Sequence, residues 1–168
     1  PGYIKISDEE EIERVCPVIS AVKKEFPHVP ISIDTYKSAV LEKALDFGAD
    51  MLNDIWGLKY DDKIAEIVAK SGIPCCIGHN SDHIYRRGFM PAVLKDITDS
   101  IVIGLKAGIK PESMIVDPGI GFSKTYEQNL ELINSIDFLK SSFNTPILVG
   151  LSRKSFVGIA LNNAPKED

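Results

Sequence analysis

At 168 residues, 44% of them hydrophobic, the chain is long enough for one domain with a sizeable core and short for two. Acidic and basic residues are mixed along it and the formal charge is −5, which removes the usual electrostatic case for nucleic acid or an anionic membrane as partner. The expected partner is a small molecule.

No apolar stretch reaches the roughly 20 residues a membrane-crossing helix needs, and the first residues carry no basic-then-apolar leader pattern. Cys16, Cys75 and Cys76 form an odd count, and the adjacent pair sits inside an apolar run. Buried thiols in a reducing, cytoplasmic compartment are the expectation.

Ser7-Asp8-Glu9-Glu10 matches a helix capping box, and Ile12, Val15, Ile19 and Val22 recur at helical spacing, so a helix is expected over about 8–25, ending before Pro27. Ile31 and Ile33 then lead into Asp34-Thr35, and Val40, Leu41, Ala44 and Leu45 follow at helical spacing up to Gly48, a natural C-terminal cap. The pattern repeats. Met51-Leu52 runs into Asn53-Asp54; Ile64, Ile67 and Val68 mark a helix ended by Gly72; Pro74-Cys75-Cys76-Ile77 runs into His79-Asn80. The stretch from Ser81 to Met90 reads as a long loop, after which Pro91 is expected to open a helix carrying Leu94, Ile97, Ile101 and Leu105. Met114-Ile115-Val116 into Asp117 and Pro146-Ile147-Leu148-Val149 into Ser152-Arg153-Lys154 complete five strand–helix units.

Apolar runs that alternate with helices imply a parallel sheet covered by helices, either a barrel or an open doubly wound sheet. Polar residues close every strand, and this favours the (β/α)8 TIM barrel, which builds its site from several strand ends. The expected class is therefore α/β, TIM-barrel type, with residues 1–168 forming one barrel domain incomplete at both ends, since a closed barrel takes about 250 residues.

Asp34, Asn53, Asp117 and Lys154 would then face one cavity. Two carboxylates and an amide suit a ligand edge rich in N–H donors, such as the amino-pyrimidinone edge of a pterin or guanine, with the lysine answering a carbonyl or ring nitrogen. Each residue taken alone would equally serve as a helix or turn cap. Asp117-Pro118-Gly119-Ile120-Gly121-Phe122 is the most informative run: its glycines allow close backbone approach and Phe122 offers a ring face, although Asp-Pro-Gly is also an ordinary turn. Gly150-Leu151-Ser152-Arg153-Lys154-Ser155-Phe156 places cations and hydroxyls after a strand, as an anion site or a solvated basic loop.

His79 has no second histidine or cysteine at ligand spacing and reads as a satisfied polar residue. Trp56 reads as packing. His83, Arg86 and Arg87 suit a phosphate role and a solvated role alike. No Ser-His-Asp arrangement, Walker loop or dinucleotide glycine fingerprint is present in the sequence.

Together, Ile33-Asp34-Thr35-Tyr36-Lys37, Asn53-Asp54-Ile55-Trp56-Gly57, the 117–122 run and Val149-Gly150-Leu151-Ser152-Arg153-Lys154-Ser155-Phe156 resemble the dihydropteroate synthase family in order and spacing. The resemblance covers essentially the whole chain. It implies a transferase of folate synthesis that joins p-aminobenzoate to dihydropterin pyrophosphate with magnesium assisting the leaving group, acting as a homodimer. By position it implies Asp34, Asn53, Asp117 and Lys154 as pterin-binding residues, and Phe122, Lys154 and Ser155 as neighbours of p-aminobenzoate. No catalytic nucleophile is expected, and no metal ligand falls in this chain. Pterin-dependent methyltransferases that serve a corrinoid share a similar Asp/Asn set, and a non-catalytic pterin-binding role is a further alternative; the Ser-Arg-Lys-Ser-Phe run argues against the methyltransferases.

Departures from the family pattern carry expectations of their own. Pro1-Gly2 resembles the tail of a Ser-Thr-Arg-Pro-Gly loop, and the family's metal-proximal Asn and final Arg-x-His have no counterpart here. The native protein is therefore expected to be longer, with the 168 residues alone inactive and two strand edges open. Gly78 stands where the family usually has methionine, which questions one wall of the pterin slot.

Overall fold

The computed structural model describes residues 4–82 and 84–162; Pro1, Gly2 and His83 lie outside them. Four short strands, β1 (Ser32–Asp34), β2 (Met51–Asp54), β3 (Cys75–Gly78) and β4 (Met114–Asp117), form one sheet in sequential order. All pairings are parallel. The helices α1 (Asp8–Glu25), α2 (Ser38–Asp46), α3 (Ile64–Ser71), α4 (Phe89–Ala107), α5 (Tyr126–Asn134), α6 (Ile136–Phe143) and α7 (Ser155–Ala160) occupy the connections and flanks.

Local chemistry sets most boundaries where the sequence placed them. Ser7 accepts a bond from the Glu10 amide at 3.2 Å, so half of the expected capping box forms, and α1 continues through Pro17. Gly72 ends α3 in the left-handed conformation, with its amide on the Val68 carbonyl. One boundary moves: α4 begins at Phe89, two residues before Pro91, with Gly88 as its cap. Pro91 falls in the first turn, where its missing N–H loses no helical bond. A complete capping box that the sequence reading passed over, Thr125 with Gln128, starts α5.

The fifth unit needs correction. Ile147 makes a single parallel bridge to Val116, supported by Val116 N–H to Pro146 O (2.9 Å) and Leu148 N–H to Val116 O (2.8 Å), and no ladder develops. Leu148, Val149 and Leu151 remain 37%, 36% and 38% exposed, as befits an outer segment with no further neighbour among the described residues.

Register divides the sheet into two faces. Ile33, Leu52, Cys75 and Met114 pair in one row, and Asp54, Ile77 and Val116 in the next, all of them buried. One apolar cluster packs this face beneath α1, α2 and α3, through Ile19, Leu41, Ala44, Ile64 and Val68. A second gathers Phe89, Val93, Ile97, Val116, Ile120, Leu132, Leu139 and Phe156. Each fully buried Leu or Ile contributes on the order of 1.5–3 kcal/mol. Among the described residues no helix is long and apolar enough to cross a membrane.

Cys75 and Cys76 are both fully buried, and loss of solvation pushes each thiol up to about 12. The thiolate needed for alkylation is then scarcer than in a free cysteine by on the order of a thousandfold. Iodoacetamide at pH 8 is expected to leave both unmodified in the native protein and to label them on unfolding, as read by mass spectrometry. Prompt native labelling would contradict this burial.

Candidate functional site

The opposite face of the sheet carries the polar residues. Asp34, Asn53, Cys76 and Ile115 share one register level, and Gly78 and Asp117 lie two residues further toward the strand ends on the same face. This alternation follows from the pleat: residues that flank a buried position along a strand point the other way. Asp34 is exposed, while Asn53, Ile115 and Asp117 are half-buried.

Asn53 donates from Nδ2 to Asp34 Oδ2 at 3.0 Å, joining the ends of β1 and β2. Desolvation raises the Asp34 carboxyl above its ordinary value, and the Asn53 bond opposes it. Asp54, the next residue, points to the buried side and accepts the Trp56 and Leu58 amides, each at 2.8 Å. Its work is to shape the 54–58 turn. Trp56 lies 6.1 Å from the Tyr60 ring, within an aromatic group that includes Tyr36, and this agrees with a packing role.

Asp117 accepts the Gly119 amide at 2.8 Å through Oδ1. Burial raises its carboxyl, opposed by that amide and by the charges of Lys154 and Lys124. Gly119 and Gly121 adopt φ of 70° and 88°, the left-handed region open to glycine. The Asn129 side chain, buried on α5, accepts the Gly121 amide at 2.6 Å and so fixes the loop to that helix.

Lys154 precedes α7 and reaches across to this loop. Its Nζ donates to the Ile120 carbonyl and lies 4.6 Å from the centre of the Phe122 ring. Burial lowers its amine, with Asp117 opposing. Ser155 is the first residue of α7. Asp34 with Asn53, and Asp117 with Lys154 and Phe122, are thereby gathered at the carboxyl ends of the strands, as expected from the sequence. Asp34, Asn53 and Asp117 lie on one face of the sheet; the outer grooves, between α2 and α3 and beside α6, contain none of these residues.

Gly78 has a structural reason of its own. A Cβ there would lie 2.7 Å from Ile55 Cα and 2.9 Å from the Asp54 carbonyl oxygen, so the backbone after β2 occupies the space a larger side chain would take.

His79 is buried, with Nε2 3.5 Å from Asp96 Oδ2 and 3.4 Å from the Tyr85 hydroxyl. Loss of solvation lowers its imidazole to about 4, so it is neutral at physiological pH and belongs to the packing of β3 against α4. Arg86 and Arg87 are exposed.

Sequence reasoning gave no role to Lys37 or Lys124. Lys37 is buried and meets Glu11 at 2.8 Å, Asp8 at 3.3 Å and the Ile6 carbonyl at 2.8 Å, securing the end of β1 to the start of α1. Lys124 lies against the 119–122 backbone. Neither stands in an arrangement whose spacing announces a partner; the signal for Lys124 was only its nearness to the Asp-Pro-Gly run. Among the described residues there is no group of three or more His, Cys, Asp or Glu side chains that could hold a metal ion.

A family model described as pterin binding enzyme matches residues 1–168. A dihydropteroate synthase of Clostridium beijerinckii is 50% identical over 162 residues, spanning 96% of this chain and 60% of that protein. Among solved structures, a Clostridium difficile dihydropteroate synthase crystallised in the presence of pteroic acid superposes with a TM-score of 0.93 at 41% identity, covering 99% of this chain and 63% of its own. A Xanthomonas albilineans dihydropteroate synthase with 4-aminobenzoic acid gives 0.93 at 30% identity, covering 99% and 60%. The chain thus spans about 60% of the length of each of these three relatives. With its barrel-type parallel sheet, its polar strand ends and a family match along its full length, this chain belongs to the pterin binding enzymes.

Proposed function

We propose that the protein carrying this chain is a dihydropteroate synthase, condensing 6-hydroxymethyl-7,8-dihydropterin pyrophosphate with p-aminobenzoate to 7,8-dihydropteroate and pyrophosphate. The observation that carries the reading is the grouping of Asp34, Asn53, Asp117, Lys154 and Phe122 at the strand ends, in a chain so similar to such synthases.

In this reading the carboxylate of Asp117 accepts from the N–H-rich edge of the pterin, and the Asp34–Asn53 pair holds another part of the same ring. Lys154, whose ammonium has three donors, bonds a pterin carbonyl or ring nitrogen while keeping the Ile120 carbonyl. Phe122 and Ser155 border the p-aminobenzoate position. The arylamine nitrogen supplies the electron pair for the new C–N bond to the exocyclic carbon, the C–O bond breaks onto the departing diphosphate, and the amine proton passes to solvent. No covalent intermediate is required, so the protein's contribution is alignment and charge placement.

The test is genetic and chemical. The intact protein is expected to restore growth without folate end products to a bacterium lacking its own synthase, and the purified protein to form dihydropteroate from the two substrates. Failure of both by a soluble, folded protein would overturn the reading, and methyl transfer from methyltetrahydrofolate to a corrinoid would replace it.

A further inference from the structure

Lys124 lies in the loop between β4 and α5, two residues beyond Phe122. Its Nζ donates to Gly119 O at 2.8 Å and to Phe122 O at 2.9 Å, with His79 O at 3.4 Å. Those carbonyls come from two places in the fold, the end of β3 and the turn after β4. They converge because the turn is left-handed at Gly119, Gly121 and Ser123, which aims carbonyls inward rather than along a ladder. Inward carbonyls shielded from water need a donor, and an ammonium can serve all of them.

We propose that Lys124 is a positioning residue for ligand binding: it pins the 117–122 loop to the end of β3 and thereby fixes the direction in which Asp117 and Phe122 meet a pterin and an arylamine. The inference rests on the pterin reading of the site. The loop has little latitude of its own, since the His79 amide bonds the Asp117 carbonyl at 2.9 Å and a Cβ on Gly119 would fall 1.7 Å from His79 O. Lys124 completes that seam from the side-chain direction. Burial lowers its amine to about 7, with the Asp117 carboxylate opposing. A neutral amine retains two N–H donors, so the seam outlasts loss of the proton.

The experiment uses the intact protein, with calorimetric titration of 6-hydroxymethyl-7,8-dihydropterin and a thermal melt for each variant. Lys124→Ala is expected to melt cooperatively and to bind the pterin at least about tenfold more weakly, in line with the loss of charge-assisted bonds that orient the loop. Propylammonium at millimolar concentration is expected to recover most of that affinity by refilling the vacated space with a donor. Lys124→Met keeps the stem without the N–H groups, so it is expected to show the same loss with no recovery. It also carries the test if the alanine variant does not fold.

Pterin affinity within twofold of the wild type in Lys124→Met would overturn the proposal. So would a loss in Lys124→Ala that propylammonium leaves unchanged, since a donor returned to the vacated space should restore the loop. A wild type that binds no pterin overturns the reading of the site itself, and the inference falls with it.

Discussion

Gly119→Ala is expected to cost about 3–5 kcal/mol of folding stability and to abolish ligand binding. Two effects add. The residue holds φ at 70°, where a side chain costs roughly 1–2 kcal/mol, and its Cβ would fall 1.7 Å from the His79 carbonyl oxygen, inside any tolerable contact. The obstructing atom is backbone at the end of β3, so relief requires parting the seam between β3 and the 117–122 loop. Gly72 separates the two contributions: its φ is 72°, yet nothing lies within 4 Å of the position its Cβ would take. Gly72→Ala is therefore expected to cost only about 1 kcal/mol. Chemical denaturation of both variants checks the pair, and similar midpoints for the two would show that the clash at Gly119 is relieved.

Among variants that keep the fold, the largest effect on binding is expected at Asp117. Asp117→Asn can keep Oδ1 as acceptor for the Gly119 amide, so the turn survives, while the outer carboxylate oxygen becomes an N–H₂ donor facing the donors of a pterin edge. Losing a charge-assisted bond and opposing two donors amounts to about 3–4 kcal/mol, a hundredfold to a thousandfold in affinity. Titration with 6-hydroxymethyl-7,8-dihydropterin, beside a thermal melt, measures it. An unchanged melt with unchanged affinity would remove Asp117 from the ligand and leave it as a turn residue.

Much of this site was legible in the chain because the rule that places it is simple. In a parallel α/β unit the polar residues ending a strand stand at the mouth, so Asp34, Asn53 and Asp117 could be set on one face from the ends of three apolar runs. Lys154 was legible for a related reason, since it follows the fifth run and precedes a helix.

What was missed obeys longer-range rules. Lys124 acts through carbonyls whose directions depend on the handedness of a turn, and Lys37 through carboxylates on α1 that meet it only after β1 and α1 pack together. The weak fifth strand was illegible for a similar reason. Pro146-Ile147-Leu148-Val149 is apolar enough to be a central strand, but a ladder needs a neighbour, and sequence composition does not reveal whether one is there.

The strand order β1-β2-β3-β4 gives each new strand, as the chain leaves the ribosome, the immediately preceding strand as its partner. Loop closures are then short, so the entropy lost at each addition is small and offset by the contacts just made. Growth can proceed by accretion from the amino terminus, one strand–helix unit at a time, without waiting for a distant segment to be translated. The polar strand ends, Asp34 and Asn53 first and Asp117 two strands later, are brought onto one face by the same progression, in step with synthesis.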